Sequence, residues 1–521
     1  MRVPTGLRAA SRHFLTMVLL GGAGFAGMPA AAQTTSFTLI GHIEAFSLAN
    51  ATDPLSEATM TVRGIAVTLP RNLLITMPGR YLTASDLFRG PGLGATVRGQ
   101  SGLALRDTRS AAEQARFVPF EAEVIGNQVG ARHIAGVVRI SQGALHAGAG
   151  YIQSIDPQTG EMRVGIHGGT GGVRVRLNDP TGIFGPPSTG LDARFAVDDG
   201  NAPVHARTGF PVCLRAGQNA QRCQVVNRPA GNPHRFTCGT IPAVADALAV
   251  ACDPRLPVAL QPGDHVTYVG MIVADLQNPD PAKRGYVIAA HGLDAELGIY
   301  TSPGVDPAYL FVEEAIQGTK GEPFPDIAQE ETTRFRIVGF TTDPSRNVEV
   351  WLVDSDRARP ASPPPPSEAV PPPPVMGASM TGPVGLTPSN GPQLGRFRNT
   401  WPAKANARAV RRDVLVRIVG GQNNTGWGSN GLGLAFGTYT APIGEYIYPE
   451  ATLFGVGRLP PLAPPVPFEN FCFLTLGGGR YQPPGGGSSI PLGPLAPFPS
   501  SGRGTQSQLI GNGLQRACDG Q

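Results

Sequence analysis

Residues 150–166 read GYIQSIDPQTGEMRVGI, two alternating apolar runs on either side of Asp156-Pro157-Gln158-Thr159-Gly160. Proline fixes φ near the value a turn needs, and glycine accepts the positive φ that closes it. The stretch therefore predicts a β-hairpin, and its period of two sets the reading of what surrounds it. HVTYVGMIV (265–273) and GYVIAAHGL (285–293) predict a second hairpin across the polar loop Gln277 to Arg284. RFRIVGFTT (334–342) and VEVWLVD (348–354) predict a third, across Asp343-Pro344-Ser345-Arg346. Near the start, FTLIGHIEAFSLA (37–49) and ATMTVRGIAVTLP (58–70) place Met60, Val62, Ile65, Val67 and Leu69 on one face, with Gly64 as a bulge. DPAYLFVEEAIQG (306–318) fits a capped helix or a strand; its strand neighbours favour the strand.

Glycine recurs inside these strands, as in Ile40-Gly41-His42-Ile43, Val269-Gly270-Met271 and Val338-Gly339-Phe340. A glycine lets a strand bend sharply, which small closed barrels require. The expected fold is mainly β: tandem small OB-like barrels, with β-sandwiches as the alternative. With 69 Gly and 52 Pro in 521 residues, short strands and many turns are favoured over long helices.

Composition shifts divide the chain. Residues 1–32 carry Arg2, Arg8 and Arg12, an apolar core from Phe14 to Met28, and Ala30-Ala31-Ala32. These are the parts of a cleavable signal peptide, so export to the periplasm or the cell exterior is expected. Expected domains follow at 33–110, 111–200, 257–356 and 396–477, all β, with a cysteine-rich excursion at 201–256. The proline-rich spacer 357–395 contains two tetraproline runs, and 478–521 reads as a disordered Gly/Pro/Ser tail. No stretch after the signal predicts a transmembrane helix.

Cys213, Cys223, Cys238, Cys252, Cys472 and Cys518 make an even set without the paired C-x-x-C spacing of zinc sites. In an exported chain they predict disulfides. Fifteen pairings are open from sequence; the sequential one, 213–223, 238–252 and 472–518, is the expectation.

The phrases VRGIAVTLPRNLLIT (62–76), TGEMRVG (159–165), RVRLNDPTGIFG (174–185), HARTGFPVC (205–213), TTRFRIVGFTTDPSR (332–346) and YTAPIGEYIYPE (439–450) carry a further signal. Through them the chain resembles an uncharacterised family of predicted secreted proteins from bacteria and filamentous fungi. The resemblance covers nearly all of the chain outside the spacer and tail. It implies export and a shared multi-barrel fold, and it transfers no catalytic residue.

Chemistry-bearing motifs are sparse. The Gly-x-Ser-x-Gly elbow, the phosphate loop and His-Glu-x-x-His are all absent. With the three signal arginines removed, the 42 bases fall to 39 against 38 acids, a near-balance that argues against a nucleic-acid partner. His265 and His291 lie on the two strands of one expected hairpin and form a candidate metal or acid–base pair. Asp264, Asp294 and Glu296 beside them are candidate third ligands. Glu313 and Glu314 form a second polar candidate, one of them pointing inward to an Arg334 or Arg336 partner. Asp192, Asp198 and Asp199, with Asn201, offer the hard oxygens calcium takes. No cofactor is required by the sequence. The reading that fits is a non-enzymatic scaffold for an extracellular or envelope ligand. The competing class is a secreted hydrolase or metal-dependent enzyme whose site is assembled between domains.

Overall fold

The computed structural model describes residues 34–499, leaving out 79–80, 90–98, 143–146, 199–200, 202, 232, 240–247, 251, 276–284, 319–333, 354–383, 403–412, 421–427, 430–431, 443, 447–479, 482, 484–487 and 489. The expected signal segment, the Cys472–Cys518 pair and the body of the proline spacer lie outside the described residues.

The first barrel starts with a long curled strand, β1 (Thr34–Leu48), followed by β2 (Ala58–Val62) and β3 (Ile65–Leu69). A side branch follows with β4 (Leu74–Thr76), β5 (Tyr81–Thr83) and the short helix α1 (Ala84–Arg89). The chain then returns as β6 (Glu121–Val129) and β7 (Arg132–Ser141). β1 pairs with β6 through His42, then bends at the expected glycine and pairs with β2 from Ile43 onward. β3 runs parallel to β7, with Val67 opposite His133, and closes the ring in the order β1-β2-β3-β7-β6. That is the closure of an OB-like barrel. Met60, Val62, Val67 and Leu69, which alternate in sequence, are buried inside it.

The second barrel repeats this plan. β8 (Ala147–Ile155), β9 (Met162–Gly165) and β10 (Val173–Leu177) are its first three strands. An excursion then carries β11 (Val204–Ala206), β12 (Val212–Cys213), β13 (Arg235–Cys238), β14 (Leu248–Val250) and β15 (Val258–Ala259). β16 (His265–Ala274) and β17 (Tyr286–Ala295) complete the ring, β16 against β8 and β17 parallel to β10. β11 extends the sheet beyond β17. The hairpin quoted first forms as read, with the Gly160 amide donating to Asp156 O at 2.9 Å. In both barrels the fifth strand is bulged, by Gly136 in β7 and His291 in β17, opposite a glycine of the fourth: a Cβ on Gly126 would lie 2.0 Å from Ile134 O, and one on Gly270 2.4 Å from Ala289 O. Only glycine permits that backbone approach.

After β18 (Gly298–Thr301) comes β19 (Leu310–Gly318), a strand as expected, then β20 (Arg334–Thr341), β21 (Val348–Val353), β22 (Val384–Leu386), β23 (Arg396–Pro402) and β24 (Asp413–Ile418). A small β25–β26 hairpin (Gly428–Ser429, Ala435–Phe436) precedes β27 (Thr438–Pro442) and β28 (Gly444–Tyr446). These strands form two four-stranded sheets, β23-β20-β19-β28 and β22-β21-β24-β27. Leu310, Ile337, Val348, Phe397 and Val416 fill the core of this third unit, continuous with that of the first barrel.

Four expectations are corrected. β20 and β21 do not form a hairpin but belong to different sheets. Asp343 turns the chain between them: it takes the Gly304 amide at 2.8 Å and the Arg346 Nε at 2.7 Å, and Arg346 also reaches Asp306 at 2.9 Å. The expected boundary at 110/111 cuts through the first barrel's sheet, and that at 256/257 through the second unit, because both rings close between distant strands. The spacer ends before residue 384, since β22 pairs with β21 and Leu394 is buried against Tyr300. Finally, part of the tail packs: β29 (Arg480–Tyr481) pairs with β30 (Ile490–Pro491), and Tyr481, Leu495 and Phe498 are buried. Asn72 Nδ2 donates to Pro494 O at 2.9 Å and the Arg71 amide to Ala496 O at 2.7 Å, tying this segment to the first barrel.

Cys213–Cys223 and Cys238–Cys252 are disulfide-bonded, and no described cysteine is free, consistent with an oxidising compartment. Among the described residues no helix is long and apolar enough to cross a membrane.

Candidate functional site

The histidine pair does not meet. His265 sits opposite Glu296 across the β16–β17 ladder, where the Glu296 amide donates to His265 O at 2.9 Å. His291 is the extra residue of the bulge facing Val269 and Gly270. Five residues of strand separate the two places, about 16 Å at ~3.3 Å per residue. His291 is largely shielded, and burial holds its imidazole down at about 4. Among the described residues no group of three or more His, Cys, Asp or Glu is arranged to hold a metal ion.

Asp264 is consumed structurally. It lies at 2.8 and 3.0 Å from the Arg228 guanidinium, with both side chains sealed from solvent, and it also takes the Gln261 amide at 2.8 Å. Calcium fares no better. Asp192 caps the turn Ala193–Phe195 and holds Arg194 at 2.6 Å, and Arg194 Nη1 donates to Leu87 O and Ser101 O, both at 2.7 Å. Asp192 therefore positions the bolt between the excursion and the first barrel. Asp198 instead accepts from Asn201 at 2.6 Å, and Asp199 lies outside the described residues. In β19 a register shift between Val312 and Glu314 leaves Glu313 exposed and Glu314 half-buried, so neither points fully inward as expected. The side chains of Arg334 and Arg336 are not among those described.

The remaining candidates do converge, on residues the sequence reading passed over. β11 runs parallel to β17, which places His205 beside Asp294. Thr267 of β16 flanks Asp294 on the other side. One strand-step along the same face come Tyr151, His265, Glu296 and Arg207. Two rows of side chains thus stand on the outer face of the second barrel, because strand residues two apart share a face. His265 Nδ1 is 3.3 Å from Glu296 Oε2, an ion-pair distance without hydrogen-bond geometry, and its ring packs edge-on against Tyr151 at 5.0 Å. His167 meets the same tyrosine at 4.9 Å. Arg207 is 3.7 Å from Glu296.

Asp294 is the chemically unusual member. Its Oδ1 is buried without a hydrogen-bond partner, 3.9 Å from His205 Nδ1. That nitrogen already donates to Ala206 O at 2.9 Å, which fixes the Nδ1–H tautomer of a neutral ring. Burial holds His205 down at about 4, only partly opposed by the Ala206 carbonyl. Burial pushes the Asp294 carboxyl up to about 7; the Arg207 charge opposes this, and Glu296 and Glu313 add to it. Asp294 can therefore exchange a proton near neutrality while its imidazole neighbour does not. The local signal was an Asp-x-Glu at 294–296 and a His-x-Arg at 205–207, each spaced for one strand face. Nothing local says that those strands are adjacent.

No protein-family model matches the chain, no curated protein matches it, and no solved structure matches it.

Proposed function

We propose that the chain is an exported, non-catalytic binding scaffold whose ligand-contacting face is the outer surface of the second barrel. The carrying observation is the double row of Tyr151, His265, Glu296, Arg207 and Asp294, which presents aromatic, cationic and acidic groups together on one rigid sheet. Rigidity supports the reading. The Gln142 side chain clamps both backbone groups of Ile272, at 2.6 and 3.2 Å, and Arg194 bolts the excursion to the first barrel. The signal-like segment 1–32 and the two disulfides support placement outside the cytoplasm. The test is co-sedimentation of the purified mature chain with insoluble envelope material from the producing cell. Wild type is expected to pellet and the Tyr151→Ala/His265→Ala double variant to stay in solution. Equal pelleting of both, or turnover of a panel of esters, glycosides and peptides by wild type, overturns the reading.

One observation favours the competing class of hydrolase. Phe311 of the third unit stacks at 4.3 Å on His205, which lies beside the buried, unpartnered Oδ1 of Asp294, as in a site assembled between domains. On that reading Asp294 is a general acid, and Asp294→Asn abolishes any turnover found.

A further inference from the structure

The loop between β1 and β2 carries Asn50-Ala51-Thr52, a tripeptide of the form Asn-x-Ser/Thr whose middle residue is not proline. The chain holds one other, Asn423-Asn424-Thr425, which lies outside the described residues. In an exported chain this form accepts an N-linked saccharide, provided that it stands on a reachable surface loop. Asparagines such as Asn127, Asn178 and Asn227 are buried and could not be reached. Asn50, Ala51 and Thr52 are all exposed.

The fold adds a geometry that the tripeptide alone does not imply. Asn50 Oδ1 accepts from the Thr52 amide at 3.0 Å and from the Thr52 hydroxyl at 2.8 Å, which sets the two side chains against each other. Asn50 Nδ2 is left without a hydrogen bond. Below this tip the loop is braced. The Asn50 amide donates to Ser56 Oγ at 2.9 Å and the Ala49 amide to Glu57 O at 2.9 Å, while Asp53 holds the Arg71 guanidinium at 3.1 and 3.2 Å. The tripeptide is therefore presented already ordered, which lowers the cost of binding it.

We propose that Asn50 is a glycosylation site, modified by a membrane transferase that draws on a lipid-pyrophosphate-linked oligosaccharide. The two donors on Oδ1 stabilise the negative charge that gathers there as the amide nitrogen gives up a proton. Nδ2 attacks the anomeric carbon of the saccharide, and a carbon–nitrogen bond forms. The carbon–oxygen bond to the pyrophosphate breaks with its electron pair, and the Nδ2 proton passes to a base of the transferase. Nothing is oxidised or reduced. The site rests on the export reading and is independent of the binding role of the second barrel, since the loop joins two strands of the first.

Glycopeptide mapping of the full chain recovered from the producing cell tests it, with Asn50→Gln, Thr52→Val and Thr52→Ser alongside. In wild type the peptide containing residue 50 is expected to gain the mass of a saccharide, and enzymatic release of that saccharide to leave Asp at position 50. Thr52→Ser is expected to keep the modification, and Asn50→Gln and Thr52→Val to lose it. All three variants should fold, because the substituted side chains are exposed. A bare Asn50 in wild type, or Thr52→Val modified as fully as wild type, overturns the site. If the same digest shows residues 1–32 still attached, the export reading falls with it; a mature N-terminus beside a bare Asn50 overturns the site alone.

Discussion

Arg228 and Asp264 face one another with no exposed surface on either side chain, joined at 2.8 and 3.0 Å. The pair pins the start of β16 to the cysteine-rich excursion, since Arg228 also donates to Ala259 O at 3.0 Å. Breaking such a pair strands one charge without water, which costs about 3 to 5 kcal/mol. Asp264→Asn is therefore expected to lower the unfolding free energy by that amount in urea titrations, and Arg228→Met/Asp264→Leu to recover part of it. A single-variant loss below about 1 kcal/mol would mean that water reaches the pair.

The disulfides close loops within a segment whose own core is small. Cys213–Cys223 and Cys238–Cys252 should each contribute about 2 to 4 kcal/mol by restricting the unfolded chain. Peptide mapping of unreduced protein is expected to recover both pairs. Free thiols at these four positions in protein from an oxidising compartment would refute them.

Replacing 357–383 with a flexible segment of equal length is expected to leave the melting temperature within about two degrees, because polyproline makes no internal hydrogen bonds. Extending the replacement to 395 removes β22 and the buried Leu394, and a clear drop is expected. Truncation before Arg480 removes buried Tyr481, Leu495 and Phe498, and a buried large apolar side chain is worth about 1.5 to 3 kcal/mol. Calorimetry separates the three cases.

Stability against pH carries opposing signatures. His205 and His291 sit at about 4, below the ordinary histidine value of 6.5, so their contribution is complete above 6.5 and is lost as pH falls toward 4. Asp294, raised from 3.8 to about 7, contributes most below 3.8 and loses that contribution as pH rises through 7. Between 4 and 6.5 the two histidines outweigh the one aspartate, so wild-type stability is expected to fall on acidification. His205→Gln should flatten this slope and Asp294→Asn should steepen it, as urea midpoints across the range would show. Unchanged slopes in both variants would discard the assignment.

What the sequence by itself determined is local. Alternation and the Asp156–Gly160 turn specified the strands and the first hairpin, and the neighbours of 306–318 decided strand over helix. That the cysteines pair was also legible, whereas the choice of 213–223 and 238–252 among the open pairings was decided by the fold. The tertiary structure alone decided which strands close each ring, through the β3–β7 and β10–β17 parallel contacts. It alone put His205 beside Asp294 and sent β20 and β21 into different sheets. The reason is physical: an alternating strand states which face it buries but not against what, and loop-closure entropy grows so slowly with length that distant partners compete almost equally with near ones.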